Sequence, residues 1–116
     1  MAGFAAVVVF DSMNLSLSAP KLLSASTRMA VADLFKVLAD PTRLQLLLAM
    51  EQGEISVTDL AQLLGMSLSA VSHQLRVLRQ AGVVRTRREG KSIRYAVDDH
   101  HVTALLEQAV RHAEHG

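Results

Sequence analysis

The hydrophobic repeat of this chain changes once, at Gly82, and that change limits what it can fold into. Between Met29 and Ala81 apolar residues recur at intervals of three and four, the repeat of helices with one buried face. Beyond Gly82 the repeat drops to two: Val83–Arg88 and Lys91–Val97 are β-branched and alternating, with Glu89-Gly90 between them as a hairpin turn. With 116 residues there is room for one compact domain, mainly α with a single β-hairpin. A chain this short buries only about two thirds of its unfolded surface, so a second copy is a natural cover for leftover apolar area.

Each helix carries its own punctuation. The first, from Met29 to about Leu38, places Val31, Leu34, Phe35 and Leu38 on one face. Asp40 then caps a second helix, 41–51, with Pro41 at its first position and Leu44, Leu47 and Leu48 as the buried stripe. Ser56 and Asp59 form a capping-box pattern for a third helix, 57–64, with Val57, Leu60, Leu63 and Leu64 inward and Gly65 as its stop. After a Met66-Ser67 turn, a fourth helix, 68–81, holds Leu68, Val71, Leu75 and Leu78 at the helical period until Gly82. On the second strand Ile93, Tyr95 and Val97 are expected to face inward, with Ser92 and Arg94 outward. A last helix, 99–114, carries Val102, Leu105, Leu106 and Ala109. Residues 1–26 are rich in Ala, Ser and Val, include Pro20, lack helical periodicity, and read as a flexible arm; Met13 or Met29 are alternative starting points. The folded domain is expected over 27–116.

The absence of cysteine excludes disulfides, thiolate metal sites, iron–sulfur clusters and a cysteine nucleophile, so any metal must be held by nitrogen and oxygen. The apolar run Phe4–Phe10 is far short of the roughly 20 residues of a membrane span, and no basic residue precedes it. A cytoplasmic protein without a membrane partner is expected. The net charge of +1 conceals an uneven distribution. Seven of the twelve basic residues lie between Arg76 and Arg94, where Glu89 is the only acid.

Two short helices joined by a Gly-containing turn and followed by a basic hairpin describe a winged helix-turn-helix. With Val71, Leu75 and Leu78 buried, the fourth helix offers Ser69, Ser72, His73 and Arg76 to base edges and phosphates of a major groove. Arg85, Arg87, Arg88, Lys91 and Arg94 supply backbone contacts from the wing. A run of arginines alone is as well explained by a solvated face. Cap, helix, Gly turn, polar-faced helix and Gly-tipped basic hairpin in register over about 55 residues are far more specific.

The segments Ser69-Ala-Val-Ser-His-Gln-Leu-Arg-Val-Leu78 and Leu38-Ala-Asp-Pro-Thr-Arg-Leu44 resemble the ArsR/SmtB family of bacterial metal-sensing repressors. The resemblance covers roughly Met29 to His115, about three quarters of the chain. It implies a homodimeric winged-helix repressor that blocks a promoter until an inducer binds, with Ser69, Ser72 and His73 at DNA-contact positions. Leu68 stands where some members carry a polar residue.

Four of the five histidines lie at or beyond His100. On one helix His101 and His112 share a face, since eleven residues turn about 1100°, but they are about 16 Å apart along the axis. Donors to one zinc lie about 2 Å from it. One helix therefore cannot close the site, whereas two antiparallel copies can join Asp99 and His101 of one to His112 and His115 of the other, twice per two-fold dimer. Asp99 and His101 diverge inside a helix, which places Asp99 at or before the cap. A solvated imidazole near a helix end is the ordinary alternative, and it is preferred for His100. For Asp99, His101, His112 and His115 the spacing also matches the C-terminal-helix metal site of the zinc-responsive branch of the family, so the resemblance implies that these four are the ligands.

One carboxylate and three imidazoles suit tetrahedral Zn(II), with Co(II) as a spectroscopic mimic. The expected function is a homodimeric repressor of operator DNA released by Zn(II). The runner-up is a nickel or cobalt sensor of the same fold, with extra donors from His100 or the arm. A DNA-binding regulator without metal response is a third reading. An enzyme is not expected: there is no H-E-x-x-H, no positioned Ser or Glu beside a pocket, no small organic substrate, and a four-ligand site leaves no position for water.

Overall fold

The structure, a computed structural model, describes residues 22–116; residues 1–21, which include the Phe4–Phe10 run, Met13 and most of the expected arm, lie outside the described residues. In chain order the elements are α1 (Ala25–Leu38), α2 (Pro41–Ala49), β1 (Ile55–Ser56), α3 (Val57–Leu64), α4 (Leu68–Gln80), β2 (Val84–Glu89), β3 (Ser92–Val97) and α5 (His100–His115). No helix among the described residues is long and apolar enough to cross a membrane. Contacts divide the chain after Val31. In the first unit the Ser24 hydroxyl accepts from the Thr27 amide at 3.2 Å, in the manner of an N-cap, and the Arg28 guanidinium donates to the Leu23 carbonyl at 3.1 Å. A serine cap rather than an apolar stripe starts α1, so the helix begins at Ala25, ahead of the periodicity at Met29 and inside the expected arm.

The second unit, Ala32–Gly116, holds the core. Asp40 caps α2 as expected, accepting from the Arg43 amide at 2.9 Å, with Pro41 at the first helical position. Arg43 ties three helices together: Nε donates to the Val37 carbonyl at 2.7 Å and Nη1 to Gln74 Oε1 at 3.1 Å. That places α4 in fixed register with α2 and the last turn of α1. The buried stripe of α2 is Leu46 and Leu47, continued by Met50 at its C-cap, with Leu44 and Leu48 only partly buried. Four of the nine residues of this helix are leucine, which leaves several stripes open, and only packing selects among them.

Three residues expected inside are exposed. On α3 the covered side runs through Val57, Leu60, Ala61 and Leu64, so at 100° per residue Leu63 points about 110° away from its centre and is 64% exposed. Leu68 and Ile93 lie on the expected faces but beyond the elements that cover them, Leu68 in the first turn of α4 and Ile93 near the hairpin tip. Tyr95 and Val97, deeper in β3, pack on the core.

The sheet has the order β1-β3-β2, all antiparallel. The two-residue β1, too short to show alternation, pairs Ile55 with Tyr95 and Ser56 with Arg94. Ser56 then caps α3, accepting from the Asp59 amide at 3.1 Å. The hairpin turn is Gly90-Lys91 rather than Glu89-Gly90, because Glu89 pairs with Ser92. Gly90 has φ +62° and Lys91 does not enter the left-handed region, the pattern of a type II′ turn, which needs glycine first.

Leu46→Ala is expected to destabilise the protein by about 2–5 kcal/mol, the range for emptying a buried leucine site, while Leu63→Ala should stay within about 0.5 kcal/mol. Urea denaturation followed by circular dichroism measures both, and comparable losses would contradict the burial assigned to α2 and α3.

Candidate nucleic-acid interface and metal centre

α3 and α4 form the helix-turn-helix. Gly65 ends α3 in the left-handed conformation, φ +66°, and Ser67 caps α4 by accepting from the Ala70 amide at 3.1 Å. Val71, Leu75 and Leu78 are completely buried. Burying that side turns Ser69, Ser72, His73 and Arg76 outward in a stripe about 100° wide. Ser69, His73 and Arg76 are exposed and Ser72 is half-buried.

The wing's basic residues are less available than their number implies. Arg85, Arg87 and Arg94 share one face of the hairpin, with Arg87 directly opposite Arg94. Arg87 forms a two-pronged pair with Glu54, Nε to both carboxylate oxygens at 3.0 Å and Nη2 to Oε1 at 2.6 Å, and its Nη2 is also 3.6 Å from Glu89. Arg94 Nε donates to Glu89 at 2.9 Å, and Arg85 donates to the Val97 carbonyl at 2.8 Å. Arg88 and Lys91 have no acidic partner among the described residues. Glu54 escapes any reading of the basic cluster confined to 76–94. It lies 33 residues before Arg87 and arrives beside the wing because the β1–β3 pairing carries it there. The Arg87 hydrogen bonds hold the Glu54 carboxyl below its usual range, and the same contacts raise the Arg87 guanidinium. A carboxylate depressed in the folded state contributes above its unfolded pKa and loses that contribution as pH falls through the folded value, so the pair is intact at neutral pH. Arg87 is exposed and Glu54 half-buried at the surface, which keeps the pair's contribution small.

Asp99 is the N-cap of α5: its Oδ1 accepts from the His101 amide at 2.8 Å and the Val102 amide at 3.1 Å. The Val102 amide foremost, then the His101 amide and the neighbouring imidazoles, hold this carboxyl below the usual carboxylate range. His101 Nδ1 lies 3.5 Å from Asp99 Oδ1, on a side chain 82% exposed. The His100 and His101 rings stand with centroids 4.4 Å apart. His112 and His115 are exposed in the last turn at the far end of α5. The structure therefore brings together Asp99 with His101, and His112 with His115, but not the two pairs. No group of three such donors forms among the described residues. Beside α5, Phe35, Leu38, Ala39, Leu44, Leu105, Leu106 and Ala109 line an entirely apolar groove of about 200 Å³, and Phe35 is 51% exposed.

A capped helix-turn-helix that buries one side of its second helix and turns a polar stripe outward beside a basic hairpin defines a winged-helix DNA-binding protein. The chain belongs to the arsR family of bacterial regulatory proteins, whose profile matches residues 40–86; these are transcriptional regulators and not enzymes. It is 48% identical over 98 residues to the HTH-type transcriptional regulator NmtR of Mycobacterium tuberculosis, an alignment covering 84% of this chain and 80% of that one. Among solved structures it is similar to the AntR antimony-specific transcriptional repressor, with a TM-score of 0.76, 39% identity, and 87% of this chain and 92% of that one covered. It is also similar to a homodimeric winged helix-turn-helix DNA-binding domain from Mycobacterium bovis, with a TM-score of 0.73, 33% identity, and 82% and 91% covered.

Glu54→Gln should release Arg87 for phosphate. Operator affinity at low salt is expected to rise, and the slope of log K against log salt to steepen by about 0.9 for each additional phosphate neutralised. Fluorescence anisotropy across a salt series measures both; unchanged affinity and slope would mean that Arg87 does not reach a phosphate even when freed.

Proposed function

We propose that this protein is a metal-responsive repressor that binds operator DNA as a homodimer and is released when Zn(II) joins the C-terminal helices of the two copies. The observation that carries the proposal is the division of the donors between the two ends of α5: Asp99 and His101 at its start, His112 and His115 in its last turn. Two-fold pairing of antiparallel α5 helices makes two complete four-donor sites from two incomplete halves.

The residues present fit the ion. Asp99 uses only Oδ1 for capping, so Oδ2 is open, and its lowered carboxyl is ionised at neutral pH. All three imidazoles are exposed. Asp99, His101, His112 and His115, one carboxylate and three nitrogens without thiolate, form a donor set suited to Zn(II) and would hold it, and the ion would cross-link the two helices. The apolar groove between α1 and α5, with half-exposed Phe35 beside it, supports a second copy packing there. The relative described as homodimeric supports the same assembly, and the one described as an antimony-specific repressor supports a repressor responsive to a metal or metalloid.

In the DNA-bound form Ser69, Ser72, His73 and Arg76 meet base edges and phosphates in the major groove, and the wing lies along the backbone. Arg88 and Lys91 are available at once, whereas Arg85, Arg87 and Arg94 exchange internal partners for phosphate. Two such heads must match successive major grooves about 34 Å apart. Constraint of the two α5 helices changes that spacing and releases DNA, and by linkage DNA weakens metal binding by the same factor. The protein acts in the cytoplasm, where its operator is.

The His100 ring beside His101 favours one second reading, a nickel or cobalt sensor in which His100 adds a donor for higher coordination. Co(II) absorption of the purified protein separates the two: intense visible bands for tetrahedral coordination, weak ones for octahedral. Zinc titrated into the protein–operator complex should lower DNA affinity, and unchanged affinity would leave a regulator without metal response. His112→Ala should keep operator binding and abolish the zinc effect; loss of both would make His112 structural.

A further inference from the structure

Two large apolar side chains stand in solvent beside the polar stripe of α4. Leu68, its first residue, is 53% exposed, and Ile93, near the wing tip, is 37% exposed. Both line one open groove of about 290 Å³, whose other walls carry the hydroxyls of Ser56, Thr58 and Ser72 and the ammonium of Lys91. No acid among the described residues lines it. A single exposed leucine would need no explanation, but here two exposed apolar groups, with half-buried Val57, line one groove that is otherwise hydroxylic and cationic. That lining fits a polyanion with an apolar group at its edge better than it fits the acidic or mixed surface of a typical protein partner.

Leu68 lies one turn before Ser72, so the two share a side of the helix. Residues at the start of a recognition helix are the ones that reach base edges. Among the groups a base pair presents in the major groove, the thymine 5-methyl alone is apolar. We infer that Leu68, with Ile93 as the opposite wall of the groove, reads the 5-methyl of a thymine in each operator half-site and so sets part of the sequence specificity. The inference rests on α4 being the DNA-reading helix and names one base that it selects. The polar neighbours serve a different purpose: Ser56, Thr58 and Lys91 suit the phosphates that flank that thymine, and carry no sequence information.

Duplexes selected from a randomised pool by the wild-type protein supply the probe. Replacing thymines one at a time by deoxyuridine removes only the 5-methyl. At one thymine per half-site the affinity is expected to fall about fourfold, the loss for one methyl taken out of contact. Leu68→Ala should bind the thymine and deoxyuridine duplexes equally while keeping its preferences at other positions; because Leu68 is exposed, its truncation leaves the core intact. If no thymine shows the penalty, or if Leu68→Ala retains it in full, the inference is overturned while sequence-selective binding still supports α4 as the reader. If the wild-type protein enriches no sequence at all, the reading of α4 fails, and the role of Leu68 with it.

Discussion

Burial of Val71, Leu75 and Leu78 is the constraint on which the rest of this molecule depends. A helix of thirteen residues is marginal alone, and its stability in a protein comes from the face it buries. Here that face meets α2, α3 and the base of the wing, and the helical repeat then leaves Ser69, Ser72, His73 and Arg76 no direction but outward. Arg43 adds direction to burial. Its bonds to the Val37 carbonyl and to Gln74 restrain how α4 sits on the core, which apolar contacts alone leave comparatively free.

The wing shows how a nearly neutral chain can still present a nucleic-acid surface. Arg85, Arg87 and Arg94 are held in order by a backbone carbonyl, Glu54 and Glu89, and among the wing's basic residues only Arg88 and Lys91 have neither kind of partner among the described residues. Exposed pairs of this kind contribute little to stability. Their effect is to orient long, flexible side chains; the phosphate contacts proposed for Arg85, Arg87 and Arg94 would each displace an internal carboxylate or carbonyl.

At the other end of the domain, α5 keeps its donors apart. Asp99 serves as a helix cap, which holds its carboxylate ionised, and the last turn presents His112 and His115 about a helix length away. In the proposed zinc-bridged assembly, an incomplete half-site at each end would make metal capture depend on the pairing of two copies.

Much of this was legible in the residues. Capping by Asp40, Ser56 and Asp99, the change of period at Gly82 and the outward stripe of α4 follow from local chemistry, which needs only neighbours within a turn. The separation of His101 from His112 followed from helix geometry alone. What local pattern could not supply were choices made by distant segments. Leu46 rather than Leu44 and Leu48 became core because α2 had leucines to spare; Leu68 and Ile93 stayed exposed because cover ran out above them. Glu54 reached Arg87 because a two-residue strand paired with β3. Periodicity states which face of an element is apolar, whereas the extent of that face that is covered, and the partner each charge finds, are set by elements far away in the chain and exist only once they have packed.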